Sequence, residues 1–541
     1  MQHQIDGAEQ SGQAAASNAS GSRDSDVSAA WARYRQALDR RDRWLPLWQD
    51  CYDVALPAHA SFTSSRVPGG QVGETLYDAT APDAVDQLAA SLLAHLMPPW
   101  ARWFGFAAGP DIDPAIAQNL GATLDQAAET LYGHLDRSNL AVEMHQCFLD
   151  LVVGGTASLL VEAAPTGAPS AFSFSAIPLS QVALASGTQG KLDSTYRRLW
   201  LSHDDLVDRY GAVAKAALDD RMGSPSLGAA QADALVVEMV EPELGQQRYR
   251  YRAVLETIAV GERGMAVPQV GAAGDAGPVL ADGVFDRSPF INFRWLKATG
   301  EAYGRSPVMK ALPDIKTANK VVELILKNAT LAIAGVWQAD DDGVLNPATI
   351  ELVPGAIIPK AVGSSGLTPL DPPGRFDVSQ LVLEDLRARI RHALLADQLA
   401  ELNTPRMTAT EVVERSAAMT RLLGATYGRL QAELMTPLLR RCYDLLRQRG
   451  EVPDLPLDGQ AVIIRHRSPL AQAQTQRSVS GTVSWLELSQ ALGAEGMATI
   501  DGPAAVRWLA DRFGVPPELI RPPQQATPDP PQPTAVNRLS S

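Results

Sequence analysis

The sequence predicts an α+β fold, predominantly helical, and three observations lead there. Before residue 306, amphipathic helical patterns are mixed with short β-type segments. From Ser306 onward the pattern changes to long helical runs. The 541 residues are 45% apolar and 20% charged, an ordinary globular balance over a length that implies roughly two to four folded units.

The elements follow in order. Residues 1–27 are polar and rich in Ser, Ala, Gln and Gly, which predicts a disordered tail. Trp31, Tyr34, Leu38, Leu45 and Trp48 then recur near helical spacing over residues 27–56. Gly69-Gly70 marks a loop. Val85, Leu88, Leu92 and Leu96 form one stripe over residues 81–96, with Pro82 near the start and Pro98-Pro99 as the stop. Helices over 116–137 and 141–153 come next, then strands over 157–163 and 171–177. Residues 200–221 read as helix, 235–240, 248–257 and 290–295 as strands, and 267–283 as a Gly/Ala loop.

The first long helix is expected over 308–334, with a small and apolar stripe of Val321, Leu324, Ile325, Asn328, Leu331 and Ala332. Pro313 lies early enough to mark its true start, since proline is tolerated in a first turn. A second helix spans 377–398, where Asp377 with Gln380 resembles a capping box and Val378, Leu381, Leu386, Ile390 and Leu394 recur at helical spacing. A third starts at the stronger box Thr408-Ala409-Thr410-Glu411 and runs through Leu445. Pro437 should kink it, and Gly424 and Gly428 weaken it. A Pro/Gln-rich tail follows residue 521.

Composition excludes several function classes. A net charge of -14 is not that of a general nucleic-acid binder, which needs a basic footprint. Cys51, Cys147 and Cys442 are too far apart for a CxxC pair, so buried thiols in a reducing compartment are expected. The N-terminus lacks the basic start and apolar run of a signal peptide. No window reaches the ~18 apolar residues of a membrane span, so a soluble protein is expected.

The search for chemistry yields no catalytic, cofactor or metal residue. There is no HExxH, zinc-type Cys/His spacing or GxSxG elbow. Gly187 to Lys191 superficially resembles a phosphate loop, but the Gly spacing is wrong and Leu192 stands where Ser or Thr is needed. Gly271, Gly274 and Gly277 read as a plain loop. Asp340, Asp341 and Asp342 lack the alternating ligands and distal Glu of a calcium loop, and read as a solvated turn. Lys316, Lys320 and Lys327 fall near one face of the first long helix together with Glu323. They are either a solvated face or a sparse basic lining that meets a nucleic-acid backbone without sequence preference. Arg387 and Arg391, one turn apart, suit helix surface or intersubunit pairing better than DNA contact.

Several separated segments resemble the head-to-tail connector, or portal, proteins of short-tailed, T7-like bacteriophages. They are Leu76-Tyr77-Asp78-Ala79-Thr80-Ala81-Pro82, Leu88-Ala89-Ala90-Ser91-Leu92, Pro98-Pro99-Trp100 with Trp103-Phe104, and Gly155-Thr156-Ala157-Ser158-Leu159. Then come Tyr303-Gly304-Arg305-Ser306-Pro307 with Ala311-Leu312-Pro313-Asp314-Ile315-Lys316, and Pro354-Gly355-Ala356-Ile357-Ile358. Last are Arg406-Met407-Thr408-Ala409-Thr410-Glu411-Val412 and Glu433-Leu434 with Pro437-Leu438-Leu439. They occur in the family's order across residues 27–521.

The resemblance implies a ring of about twelve identical chains around a central tunnel, a heterologous cyclic assembly that closes. Residues 28–305 would be the wing, 306–336 and 377–398 the stem helices, and 337–376 the clip. Residues 399–407 would hold the tunnel loop, with Leu402, Asn403, Thr404, Pro405 and Arg406 at the constriction. Residues 408–450 would be a long kinked helix and 451–521 a helical crown, with flexible tails at 1–27 and 522–541. Lys316, Lys320 and Lys327 would line a channel for double-stranded DNA. Trp337, Asp340, Asp341 and Asp342 would dock the terminase. Tail adaptor or nozzle, major capsid and scaffold proteins are the further partners implied, with no cofactor, no membrane and no enzymatic activity. The implied location is the portal vertex of the virion, after assembly in the bacterial cytoplasm. Two other readings stay open at this point: a multidomain enzyme with an unrecognised active site, and a helical scaffold or adaptor without a channel.

Overall fold

The structure, a computed structural model, describes residues 19–57, 62, 73, 75–99, 101–187, 189–222, 232–243, 245, 248–260, 267–269, 277–334, 336–339, 367–370, 376–399, 424, 426–466, 469–493, 496 and 500–513. They fall in two units: residues 1–407 with 423–466, and residues 408–422 with 467–541.

The first unit opens with α1 (Ala19–Asp42) and α2 (Leu45–Ala55). The single helix expected over 27–56 is therefore two, and α1 begins inside the stretch expected to be a disordered tail. Pro46 sits in the first turn of α2, where its missing N–H costs nothing. Trp31, Tyr34 and Ala37 recur every third residue and bury one face of α1 against Tyr196, Val237, Met239 and Val254. Full burial of each such aromatic contributes on the order of 2–3 kcal/mol.

Next come α3 (Thr80–Leu96), β1 (Phe104–Ala108), α4 (Pro114–Asp136) and α5 (Leu140–Gly154). The strands β2 (Thr156–Ala163), β3 (Phe172–Ile177), β4 (Val182–Ser186) and β5 (Leu192–Ser202) lead into α6 (His203–Met222). Then follow β6 (Ala232–Pro242), β7 (Tyr249–Val260), β8 (Val267–Gln269), β9 (Val279–Phe285) and β10 (Phe290–Arg294). The order β10-β2-β3 makes one antiparallel sheet, and β4-β5-β6-β7-β8, with β9 also on β7, makes a larger one.

Two expectations are corrected in this region. Trp200 lies in β5, opposite Leu235, and the helix begins only at His203. β5 escaped a strand reading because Asp193, Ser194, Arg197 and Arg198 break its apolar alternation. The expected Gly/Ala loop supplies β8 and β9, which pair with the backbone of β7.

All of β10 and most of β2 are buried, and β2 packs against α5. From this core leaves α7 (Pro307–Ala334), followed by the hairpin β11 (Val336–Ala339) and β12 (Leu367–Leu370) and by α8 (Phe376–Ala393). Pro313 lies inside α7 rather than at its start. The second long helix ends early: Leu395 takes a left-handed φ of 60°, and α9 (Ala396–Leu399) follows the break. A 28-residue helix such as α7 is about 42 Å long. Val308, Ala311, Leu312, Ile315 and Ala318 of α7 are buried, whereas no later described side chain in it is.

Helical residues 426–430 enter a π-turn at Gln431–Met435, then α10 (Thr436–Gln448). The π-turn places Pro437 in the first turn of α10, so the expected kink takes the form of one wide turn. β13 (Val462–His466) pairs with β1, so the expected helical stretch 451–521 begins with a strand of the first unit. The Thr408–Glu411 capping box lies outside the described residues. In the second unit, α11 (Pro469–Ala491) packs against α12 (Gly502–Phe513). Cys51, Cys147 and Cys442 are buried free thiols, as expected. Among the described residues no helix is long and apolar enough to cross a membrane.

Candidate functional site

The root of the α7/α8 helix pair is where the sequence motifs converge. Gly155 ends α5 with a left-handed φ of 76°, and its carbonyl accepts from Trp295 N at 3.0 Å. A Cβ on Gly304 would stand 2.1 Å from that same oxygen, so only glycine fits. Thr156 Oγ1 accepts from Gly304 N at 2.8 Å. The neighbouring Tyr303 is fully buried, edge-on to Trp48 at 4.9 Å, and its hydroxyl accepts from Leu184 N at 3.0 Å. Burial pushes its phenol up to about 12. Arg305 lies over the Trp44 ring at 4.6 Å and forks onto Glu301. Ser306 Oγ then caps α7 by accepting from Met309 N at 2.9 Å, with Pro307 as the first helical residue.

A second set of bonds ties both long helices to the start of α3. Asn319 Oδ1 accepts from Tyr77 N at 2.6 Å and Asp78 N at 3.1 Å, and its Nδ2 donates to Thr75 O at 2.8 Å. Asp78 accepts from Thr80 N at 3.0 Å and from Arg387 Nε at 2.8 Å. Arg389 of α8 reaches Asp314 of α7 at 2.8 Å. Arg387 and Arg391, read from sequence as helix surface or intersubunit pairing, pair within their own chain, with Asp78 and Asp397.

The third bond set centres on a buried arginine. Arg294 is 1% exposed and meets Glu433 with its backbone N, its Nε and its Nη2, the last at 2.6 Å. Its Nη1 donates to Ala302 O, and its Nη2 donates also to Gly190 O. Each guanidinium nitrogen thus has at least one acceptor, which is what makes its burial tolerable.

The candidate DNA-facing lysines all carry a carboxylate. Lys316 meets Asp50 at 2.7 Å, and Glu323 takes both Lys320 at 2.9 Å and Lys327 at 2.5 Å. Both lysines lower the proton affinity of Glu323 through these hydrogen bonds, Lys327 the more strongly. Trp337 lies in β11 opposite Pro369 of β12. Asp340, Asp341, Asp342, Leu402, Asn403, Thr404, Pro405 and Arg406 lie outside the described residues. Among the described residues no group of His, Cys, Asp or Glu side chains is placed to hold a metal ion. Sequence reasoning missed Asn319, Arg294 and the partners of Asp78 and Glu433. The only signal was that Asp78 and Glu433 sit inside the resembling motifs.

Comparison with known proteins follows this geometry. The family described as bacteriophage head to tail connecting protein matches residues 28–520. A probable portal protein of Bordetella phage BPP-1 is 26% identical over 520 residues, 91% of this chain and 88% of its own. The portal protein of Salmonella phage epsilon15 is 23% identical over 515 residues, with coverages of 91% and 88%. That of Escherichia phage T7 is 24% identical over 179 residues, 32% of this chain and 33% of its own.

Proposed function

The chain belongs to the bacteriophage head to tail connecting protein family and has the structural role of a portal protein in the phage capsid, and we propose that it fills this role as one stave of a closed ring of about twelve copies around a DNA channel. The family expectation drawn from the separated motifs is thereby met.

One observation carries the ring reading. Beyond Ala318, α7 has left the core, yet it exposes Leu324 and Leu326 at 49% and 50%. On α8, Leu381 and Val382 are exposed at 72% and 47%. Large apolar side chains grouped on a helix pair in this way favour a protein partner. A second copy of the same chain is the partner that a cyclic assembly supplies. The root bonds described above would then fix the angle at which each stave leaves its own body.

In this reading residues 28–305 are the wing, α7 and α8 the stem, and β11–β12 the base of the clip. Lys316, Lys320 and Lys327 are the channel cations. Their carboxylates weaken any hold on phosphate, which suits DNA that must slide during packaging and ejection. Trp337 with Asp340, Asp341 and Asp342 forms the terminase dock, later taken by tail adaptor or nozzle proteins. Residues Leu402 to Arg406 form the constriction, residues 467–521 belong to the crown, and capsid and scaffold proteins surround the wing. The ring assembles in the host cytoplasm and resides at the portal vertex of the virion.

The test is Leu381→Glu, read by native mass spectrometry and circular dichroism. The variant should keep its helix content as a monomer and lose the ring. Rings formed as readily as by the unaltered chain would remove this helix face from the assembly.

A further inference from the structure

The first unit contains a basic cleft beside the Arg294–Glu433 pair. Its volume is about 1050 Å³, and it lies between the start of β5, the turn from β9 to β10 and one face of α10. Eight cationic and four carboxylate side chains line it. The carboxylates are already engaged. Glu433 is held by Arg294, and Asp444 by Arg287 and Arg447. Asp286 is paired with Arg248 at 3.5 Å, and Asp193 accepts from the Ser194 hydroxyl at 3.2 Å.

Four cations are left over: Lys191, Lys297, Arg429 and Arg440. Among the described residues none of them has a carboxylate within 4 Å, and Lys297 donates only to the carbonyl of Gly190, at 3.0 Å. The Nε atoms of Arg429 and Arg440 are buried and have no hydrogen-bond partner. Burial, and secondarily the nearby Arg287, push the Arg440 guanidinium below its ordinary range. A surplus of cations with buried donors unmet is costly unless an anion completes it. Lys191 comes from the hairpin turn between β4 and β5, so this is not the phosphate loop its sequence superficially resembles.

We propose that this cleft binds a phosphate-class oxyanion carrying several negative charges. Guanidinium forks match phosphate oxygens in pairs, and ammonium groups add point charges. The volume sits at the upper end of the small-ligand range of about 300–1,000 Å³, which suits a diphosphate or longer chain better than a single phosphate. The phosphate chemistry has two sources, a free oligophosphate or a nucleic-acid backbone.

Calorimetric titration of the intact chain with sodium pyrophosphate, and separately with a short DNA duplex at the same ionic strength, tests the assignment. Saturable binding of pyrophosphate assigns the site to free oligophosphate; binding of the duplex alone assigns it to a nucleic-acid backbone. Either must weaken at least about tenfold in Arg429→Gln/Arg440→Gln and be unchanged in Arg35→Gln, an exposed cation outside the cleft. If Arg440→Gln fails to fold, Arg429→Gln with Lys297→Met takes its place. No saturable binding of either probe, or equal binding by the cleft variants, overturns the proposal.

Discussion

Arg387 and Asp78, 309 residues apart, form an ion pair in which Nε and Nη2 of the guanidinium lie 2.8 and 2.7 Å from one carboxylate oxygen. The Asp78 side chain is 4% exposed and that of Arg387 is 37%. Burial opposes the charge on Asp78, but hydrogen bonds from Thr80 and Arg387 outweigh it and hold the carboxyl below its ordinary value. The pair anchors α8 to the start of α3. Asp78→Ala leaves the guanidinium half-buried and unpaired and should cost about 2 kcal/mol in urea denaturation. Because the folded value is depressed, this stabilisation is present above the ordinary carboxylate range and is lost as pH falls through the folded value. A loss below about 0.5 kcal/mol would mean that the pair anchors nothing.

At the crossing of Gly304 over Gly155, a single methyl group has nowhere to go. Gly304→Ala should destabilise the chain by roughly 3 kcal/mol or more, since the obstruction is backbone and cannot swing aside. The midpoint of chemical denaturation measures this. Ala tolerated at 304 without loss would show that the two backbones do not approach so closely.

Glu323 holds two ammonium groups. On the channel reading, Glu323→Gln frees both and should strengthen retention of DNA in assembled particles, with a steeper salt dependence. Ring assembly should be untouched. Lys316→Ala with Lys320→Ala and Lys327→Ala should also spare assembly and alter packaging or retention. Filling and release kinetics identical to the unaltered particle in both variants would leave these side chains as a solvated face.

His466 gives a pH dependence of opposite origin to that of a paired carboxylate. It ends β13 opposite Phe104, its Nδ1 is buried without a hydrogen-bond partner, and desolvation lowers the imidazole to about 4. Between pH 6.5 and 4 the unfolded chain binds the proton more readily than the folded one. Stability should therefore fall with pH in that window, by on the order of 3 kcal/mol. His466→Asn should lose this increment when thermal unfolding is compared at both ends of the window. The same slope in the variant would assign it to other groups.

Local periodicity made much of the fold legible. Val85, Leu88, Leu92 and Leu96 repeat within one helix, and that repeat, with Pro82 near its start and Pro98-Pro99 after it, located α3. What was not legible depends on distance along the chain. β5 carries Arg197 because Glu238 of the next strand meets it, and the strand pattern hides that reason. Arg294 and Glu433 are 139 residues apart, so no spacing rule could join them. Of the lysine carboxylates, Glu323 was visible on the same helix face, whereas Asp50 comes from α2. The break at Leu395 was invisible because leucine gives no sign of a left-handed turn. Motif order, spread over nearly the whole chain, carried the family where no side-chain cluster did.

Electron microscopy of the purified, full-length chain tests the central claim most directly. The account predicts closed rings of about twelve copies with an open channel, the α7/α8 pair forming its wall. A folded chain that remains monomeric or dimeric under conditions that support capsid assembly would contradict it.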